Sequence, residues 1–436
     1  MKQNFRITLL TVVFILTMSL VVGAQNTTVT MLYWPGPESE AMQEVVDEYN
    51  STQGQEDGIE VEMLTFSRQG FFDKQQTALA GKTKNFDIAF PPTYILGRLA
   101  PHLEPLEPYF EEHGKLDNLD IYIDSALDSL SYQDQLYALP TDVGFHMMFY
   151  RQDLIDELAT NEEWQQKYAE ITEEYLGEAY EPKDPEDWTW DDYVAYSLFF
   201  TRSINPESPT QYGTTLQLKN LIFNVMIWND VLFSYDGKIV GDGESVLNSP
   251  AAEKALDVYM KIIKNNATPS SSINYEFAET NEAFKSGQTA TIIQYVAAYP
   301  ILTNEEESPR VYDKVGRAPV PAGSEGHKVH VHNLGVGLNK YSDNKEEASK
   351  FLTYLATTDA MEMYHENGGL PPVTGVINDV YAQNIDEYGF TEYIGRETTP
   401  IFEEMARYLG EAWSNQMSPE EALQAADEAV NDVLAD

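Results

Sequence analysis

Asn281-Glu-Ala-Phe-Lys-Ser-Gly-Gln-Thr-Ala-Thr-Ile-Ile-Gln-Tyr-Val-Ala-Ala-Tyr-Pro300 contains, in order, the elements from which the fold is read. Ala283 and Phe284 fall on the inward face of a short helix that ends at Gly287, and the apolar run 290–293 reads as a strand passing directly into Gln294 and Tyr295. Polar and aromatic groups thus reach the carboxyl end of a strand, the place where ligands sit in open α/β sheets.

Working outward, the N-terminal part gives three strand-helix units: strands at 28–33, 59–64 and 86–90, with helices at 38–49 and 70–79 between them. Such a succession predicts a parallel sheet with right-handed crossovers. Two extended segments, 136–140 and 145–150, flank Thr141-Asp142-Val143-Gly144, which reads as a bend between lobes with Asp142 facing the gap. Residues 153–180 are helical and acidic, 182–188 form a polar loop, and a helix starts near Thr189 with 194–200 as its buried face. A strand at 213–218 precedes an aromatic helix at 221–232, and Ser249-Pro250 caps a helix running to 263. Strands at 315–320 and 329–338, a helix at 345–357 and a final helix from Ser418 to 434 complete the pattern.

The chain has 436 residues, 42% of them hydrophobic, enough for two or three domains with proper cores. Lys2 and Arg6, the apolar run 7–22 and the small residues Val22-Gly23-Ala24 read as a cleavable secretory signal peptide over residues 1–24. Sixteen apolar residues fall short of the roughly 20 that span a bilayer. There is no cysteine, so neither a lipid anchor at the cleavage point nor a disulfide is available, and the expected location is periplasmic or otherwise extracytoplasmic. A formal net charge of −44 repels nucleic acid and anionic lipid. Because the carboxylates are spread along the chain, they read as a solvated acidic surface.

The strand ends and crossings collect Trp34, Tyr94, Asp142, Trp228, Tyr295 and Phe402, with the neutral partners Gln69, Gln294 and Asn333. Aromatic faces stack on the C–H faces of a sugar ring, while carboxylates and amides pair with its hydroxyls, so the set suits a carbohydrate. His327, His330 and His332 stand in His-Lys-Val-His-Val-His, and period-2 spacing puts the last two on one strand face. With no cysteine and no carboxylate at a ligand spacing, they predict no metal; His332 and Asn333 read instead as the border of the cleft. No nucleophile elbow, phosphate-cradling loop or His-Glu-x-x-His is present, so neither enzyme activity nor a cofactor is expected.

Several stretches together resemble the family-1 extracellular solute-binding proteins of bacterial ATP-binding-cassette sugar importers. They are the 281–290 segment, Tyr137-Ala-Leu-Pro-Thr-Asp142, Phe149-Tyr-Arg-Gln-Asp-Leu154, Trp188-Thr-Trp-Asp-Asp-Tyr193, Gly316-Arg-Ala-Pro-Val-Pro321, Lys345-Glu-Glu-Ala-Ser-Lys-Phe-Leu352, Gly368-Gly-Leu-Pro-Pro372 and Ser418-Pro-Glu-Glu-Ala-Leu423. The resemblance implies an α/β, two-lobe periplasmic-binding-protein fold of type II, each lobe a mostly parallel sheet flanked by helices. It places residues 25–142 and 320–365 in the N-terminal lobe, and 143–319 and 366–436 in the C-terminal lobe. By position it carries ligand contacts onto Trp34, Glu38, Gln69, Tyr94, Asp142, Trp228, Gln294, Tyr295 and Phe402. It further implies a monomer that closes on a sugar or short oligosaccharide and delivers it to membrane permease subunits. A polyamine or other cation receptor, and a secreted carbohydrate-active hydrolase, are the competing expectations. The chain departs from the family pattern at Asn229-Asp230, where two glycines are common, at His332-Asn333-Leu334, where a Gly-Trp pair is common, and in a longer acidic insertion near 156–187.

Overall fold

The computed structural model describes residues 26–35, 37–66, 71–391 and 393–435. The signal-peptide reading for 1–24 and the predicted contact Gln69 lie outside them.

Two separate sheets organise the chain. In the first, the strands stand in the order Ile59–Thr65, Thr27–Tyr33, Ile88–Ala89, His332–Leu338, Leu139–Gly144. The first three are parallel, with Thr27 opposite Ile59 and Tyr33 opposite Thr65, and they are the three strand-helix units read from the sequence. The other two are antiparallel to their neighbours. The second sheet has the order Val315–Ala318, His146–Arg151, Thr289–Tyr295, Tyr212–Thr214, and only its last pair is parallel. Both sheets are therefore mixed where mostly parallel ones are expected. Strands arriving directly from the other sheet have no crossover helix to reverse them, so they enter antiparallel.

Two sequence expectations change at the crossings. Residues 141–144 do not turn; they finish the Leu139–Gly144 strand, and the change of sheet falls on Phe145 alone before His146–Arg151 begins. The single strand expected over 329–338 is two. Val329–His330 pairs with Gly389–Phe390, and after Val331 the strand His332–Leu338 joins the first sheet. Gly144 lies opposite His332, and His146 lies opposite Tyr295.

Helices cover each sheet by burying their apolar stripes. Pro37–Ser51 buries Val45, Val46 and Tyr49, whose ring packs on Phe351 and Tyr354 of the Lys345–Leu355 helix. On the second sheet, Trp190–Phe199 starts with a reciprocal cap between Thr189 and Asp192, and Pro250–Lys264 with the Ser249 hydroxyl accepting from the Ala252 amide. Ile222–Ser234 is buried on nearly all sides because Thr398–Trp413 packs against it, which explains its lack of amphipathic pattern. The acidic stretch forms two helices, Gln152–Thr160 and Glu162–Leu176, separated where the Asn161 side chain caps the second. The opening segment follows its reading: a helix Phe277–Lys285, Gly287 at φ +73°, and the strand Thr289–Tyr295. A left-handed φ of that size favours glycine because a Cβ would clash with the backbone. Among the described residues, no helix is long and apolar enough to cross a membrane.

Asp142 holds the first sheet to the loop behind it. The buried carboxylate accepts hydrogen bonds from the Tyr364 hydroxyl and, at 3.1 Å, from the Leu370 amide, with the Tyr33 hydroxyl 3.5 Å away. Burial raises its pKa from 3.8 to about 6, against the opposing pull of the Tyr364 and Leu370 bonds. The folded state thus binds this proton more tightly than the unfolded chain does, and the stability so gained is present in acid and withdrawn as pH rises through about 6. Asp142→Asn removes the titration. On lowering the pH from 7 to 5, urea-unfolding measurements are expected to show wild type gaining about 1 kcal/mol relative to this variant; a pH-independent difference would refute the assignment.

Candidate ligand-binding site

The carboxyl ends of Thr27–Tyr33, Ile88–Ala89 and Thr289–Tyr295 all point toward the two crossings, and the side chains just beyond them meet there. Trp34 follows the first strand and packs on Phe72, with ring centres 5.3 Å apart. Phe72 meets Tyr94 edge to face at 5.8 Å, and Tyr94 lies 6.4 Å from His332. His332 in turn is 5.5 Å from Tyr295, at the end of the second sheet's central strand. The result is a continuous aromatic line from one sheet to the other. Phe223, 39% exposed at the start of Ile222–Ser234, stands edge-on to Tyr94 at 5.7 Å and forms its rim.

Tyr295 is fixed on three sides. Its hydroxyl donates to the Phe223 carbonyl at 3.1 Å, its ring meets His146 at 4.4 Å in a T-shape, and its amide donates to the Gln294 side chain. Glu38, half-buried in the first turn of Pro37–Ser51, lies close enough to Asp142 and Tyr33 to raise their pKa values. His332 is half-buried, and its ring lies over Gly144, where a Cβ would come within 2.4 Å of it. Burial first, and then the nearby imidazoles His330 and His146, hold His332 well below the usual histidine range. Such an imidazole is uncharged at neutral pH and offers a ring face together with a polar nitrogen.

The other predicted contacts among the described residues are buried. Asp142 is turned to Tyr364 and Leu370. Gln294 is fully buried: its oxygen accepts from Gln217 and from the Tyr295 amide, and its nitrogen donates to the Phe277 carbonyl and Asn281. Asn333 is buried, donating from its side chain to Ser129 and from its backbone to Thr93. Trp228 is buried within its helix, and Phe402 packs 6.4 Å from His330. His330 and His332 sit on different strands, yet their rings stack at 5.8 Å, so the period-2 reading holds for their proximity. Among the described residues, no group of three metal-binding side chains converges.

Sequence reasoning missed His146, Phe72 and Phe223, and singled out Asp230 only as part of a departure from the family pattern. His146 stands in a segment read only as extended. Asp230 is the one charged residue of the Ile222–Ser234 helix, eight residues from its start and four from its end, and a charge inside a largely apolar helix is a signal of its own. A groove lined by Tyr150, Gln152, Tyr180 and Lys183 includes none of the aromatic residues at these strand ends.

The model of the bacterial extracellular solute-binding protein family matches residues 44–387. Putative binding proteins of Brucella abortus and Brucella suis are 26% identical over 294 residues, 66% of this chain; the match spans 62% of those relatives' length. Among solved structures, the sugar-binding protein MalE from Xanthomonas citri superposes with a TM-score of 0.75 at 19% identity, covering 94% of this chain and 98% of that one. Maltose-bound T. maritima MalE3 does so with a TM-score of 0.72 at 21% identity, covering 92% and 98%. A solute-binding protein from Thermotoga lettingae bound to α-D-tagatose gives 0.70 at 21% identity, covering 94% and 100%. These likenesses establish the two-lobe fold. With the family model matched over most of its length, the chain belongs to the bacterial extracellular solute-binding proteins, a family of extracytoplasmic receptors.

Proposed function

We propose that this chain captures a sugar, polyol or short oligosaccharide between its two sheets and delivers it to the permease of an ABC importer. The observation that carries this reading is the aromatic line Trp34, Phe72, Tyr94, His332, Tyr295 at the strand carboxyl ends. Ring faces beside uncharged hydrogen-bonding groups match the alternating C–H faces and hydroxyl rims of a carbohydrate. Similar structures bind maltose, α-D-tagatose and D-mannitol, which supports the same class here.

In this reading Trp34, Glu38, Tyr94, Tyr295 and His332 touch the ligand, Gln69 is a further contact, and Asp142, Trp228, Gln294, Asn333 and Phe402 hold the walls. The N-terminal lobe is assigned residues 25–142 and 320–365, the C-terminal lobe 143–319 and 366–436. Closure follows from contacts made by both lobes together, so ligand shifts the hinge equilibrium by its differential affinity. The protein acts as a monomer, exported by a signal peptide cleaved near residue 24 and left without a lipid anchor. It performs no chemistry on the ligand. A carboxyl held near pH 6 would suit a general acid, but the oxygens of Asp142 are engaged by Tyr364 and Leu370, away from any glycosidic oxygen.

A thermal-shift panel of maltose, α-D-tagatose, D-mannitol, a polyamine and divalent metals tests the class. The expected result is stabilisation by a member of the carbohydrate group, about 2.7 kcal/mol at a hundredfold excess over Kd. Stabilisation by polyamine or metal alone would sink the reading, as would turnover of an oligosaccharide. Tyr295→Ala and Trp34→Ala are each expected to abolish the ligand-induced shift while the ligand-free protein still unfolds cooperatively. Gly144→Ala, whose new methyl group displaces the His332 ring, is expected to weaken binding several-fold with little loss of stability, as read by calorimetric titration beside urea unfolding.

A further inference from the structure

We propose that Asp230 is a positioning residue for the ligand site: by holding His146 and the backbone of His330, it fixes the ring of Tyr295 and the spacing of the two crossings. The inference rests on the sugar-capture reading above for its effect on affinity, and on geometry alone for its effect on Tyr295.

Asp230 is fully buried in the middle of the Ile222–Ser234 helix. One carboxylate oxygen lies 2.8 Å from Nδ1 of His146, and the other accepts from the His330 amide at 2.7 Å. These two partners stand at equivalent places. His146 is the first residue after the Phe145 crossing, and His330 is the last before the Val331 crossing. A single side chain therefore clamps the residues that adjoin Phe145 and Val331.

The clamp reaches the cleft through one ring. His146 and Tyr295 are register partners on adjacent strands, and their rings meet at 4.4 Å. The His146 ring also stacks on His330 at 6.3 Å, and Nε2 makes no hydrogen bond among the described residues, so the bond to Asp230 is what sets its orientation. No lysine or arginine among the described residues pairs with Asp230. A buried carboxyl is expensive to desolvate, and an apolar residue would stabilise an otherwise apolar helix better if packing were its only task. Burial also drives the Asp230 pKa up and the His146 pKa down, which is consistent with a pair that shares one proton in place of a solvated ion pair.

The test uses the full mature chain with its tyrosine rings labelled with carbon-13, the Tyr295 signal being identified by its loss in Tyr295→Phe. Without ligand, Asp230→Ala is expected to move that signal, and Asp230→Asn, which keeps both hydrogen-bonding positions, to return it toward the wild-type position. With maltose and D-mannitol as probes, Asp230→Ala is expected to lose affinity by about tenfold, with partial recovery in Asp230→Asn. A Tyr295 signal in Asp230→Ala that coincides with wild type overturns the proposal, and so does an Asn variant displaced as far as the Ala variant. Should Asp230→Ala fail to fold, His146→Phe retains a ring against Tyr295 and deletes the bond to Asp230; an unmoved signal there overturns the proposal equally. If neither probe binds wild type, the failure falls on the sugar reading, and the ligand-free signals still decide the role of Asp230.

Discussion

Two of the crossings between the lobes change sheet within one residue, at Phe145 in one and Val331 in the other, and the geometry beside the aromatic line depends on that economy. Two antiparallel connections this short cannot slide past one another without breaking the register that pairs Gly144 with His332 and His146 with Tyr295. They can bend, because each hinge residue carries its rotation in a few backbone dihedrals. The Phe145 and Val331 side chains are both buried, so the hinge itself is packed on either side by core. Phe145 meets Tyr381 edge to face at 5.5 Å, and the Val331 amide donates to the Phe390 carbonyl.

Around the aromatic line, polar groups divide by whether they are already satisfied. Gln294, Asn333 and Asp142 use hydrogen bonds to internal partners, so removing any one would strand buried donors or acceptors of the frame. Of the aromatic groups, Trp34, Phe72, Tyr295 and His332 are half-buried and keep part of their surface exposed, whereas Tyr94 is buried. Tyr295 combines both roles, its hydroxyl fixed to the Phe223 carbonyl and its ring turned between His146 and His332. A ring immobilised in this way loses little entropy when it stacks on a ligand, which is the advantage of preorganisation.

Much of this was legible in the chain because local pattern and global fold agree over the strand-helix units and the 281–295 segment. Gly287 announced its turn, and Tyr295 its place at a strand end. Residues 329–338 carry apolar side chains at 329 and 331 and then at 334, 336 and 338, so the alternation changes phase at His332-Asn333, next to Val331, which divides the segment between two pairings; reading it as one strand overlooked that shift. The bend expected over 141–144 came from an aspartate and a glycine between apolar runs, residues that the end of a strand also accommodates. Gln294, Asn333 and Asp142 were assigned to the cleft by position along a strand, whereas the side-chain direction depends on partners such as Gln217, Ser129 and Leu370 that lie 77, 204 and 228 residues away in sequence. The Asp230 clamp depends on two partners, 84 and 100 residues distant, and was hidden for the same reason.

The pairing of Gly144 with His332 bears most directly on what the cleft can accept. Only a residue without Cβ lets the imidazole lie flat against the neighbouring strand, since an added methyl would come within 2.4 Å of the ring. The glycine is thus a condition for the histidine, and the histidine completes the surface between Tyr94 and Tyr295. A tryptophan, which the resemblance would place close by, offers a wide stacking face and one outward donor. An uncharged imidazole offers a smaller face but a nitrogen that donates or accepts according to its tautomer. Stacking area is exchanged for hydrogen-bonding adaptability at the centre of the aromatic line. In the proposed sugar-capture reading, discrimination there rests on the placement of hydroxyls more than on the extent of an apolar face, because an unmatched hydroxyl in a closed cleft carries the full penalty of an unsatisfied polar group.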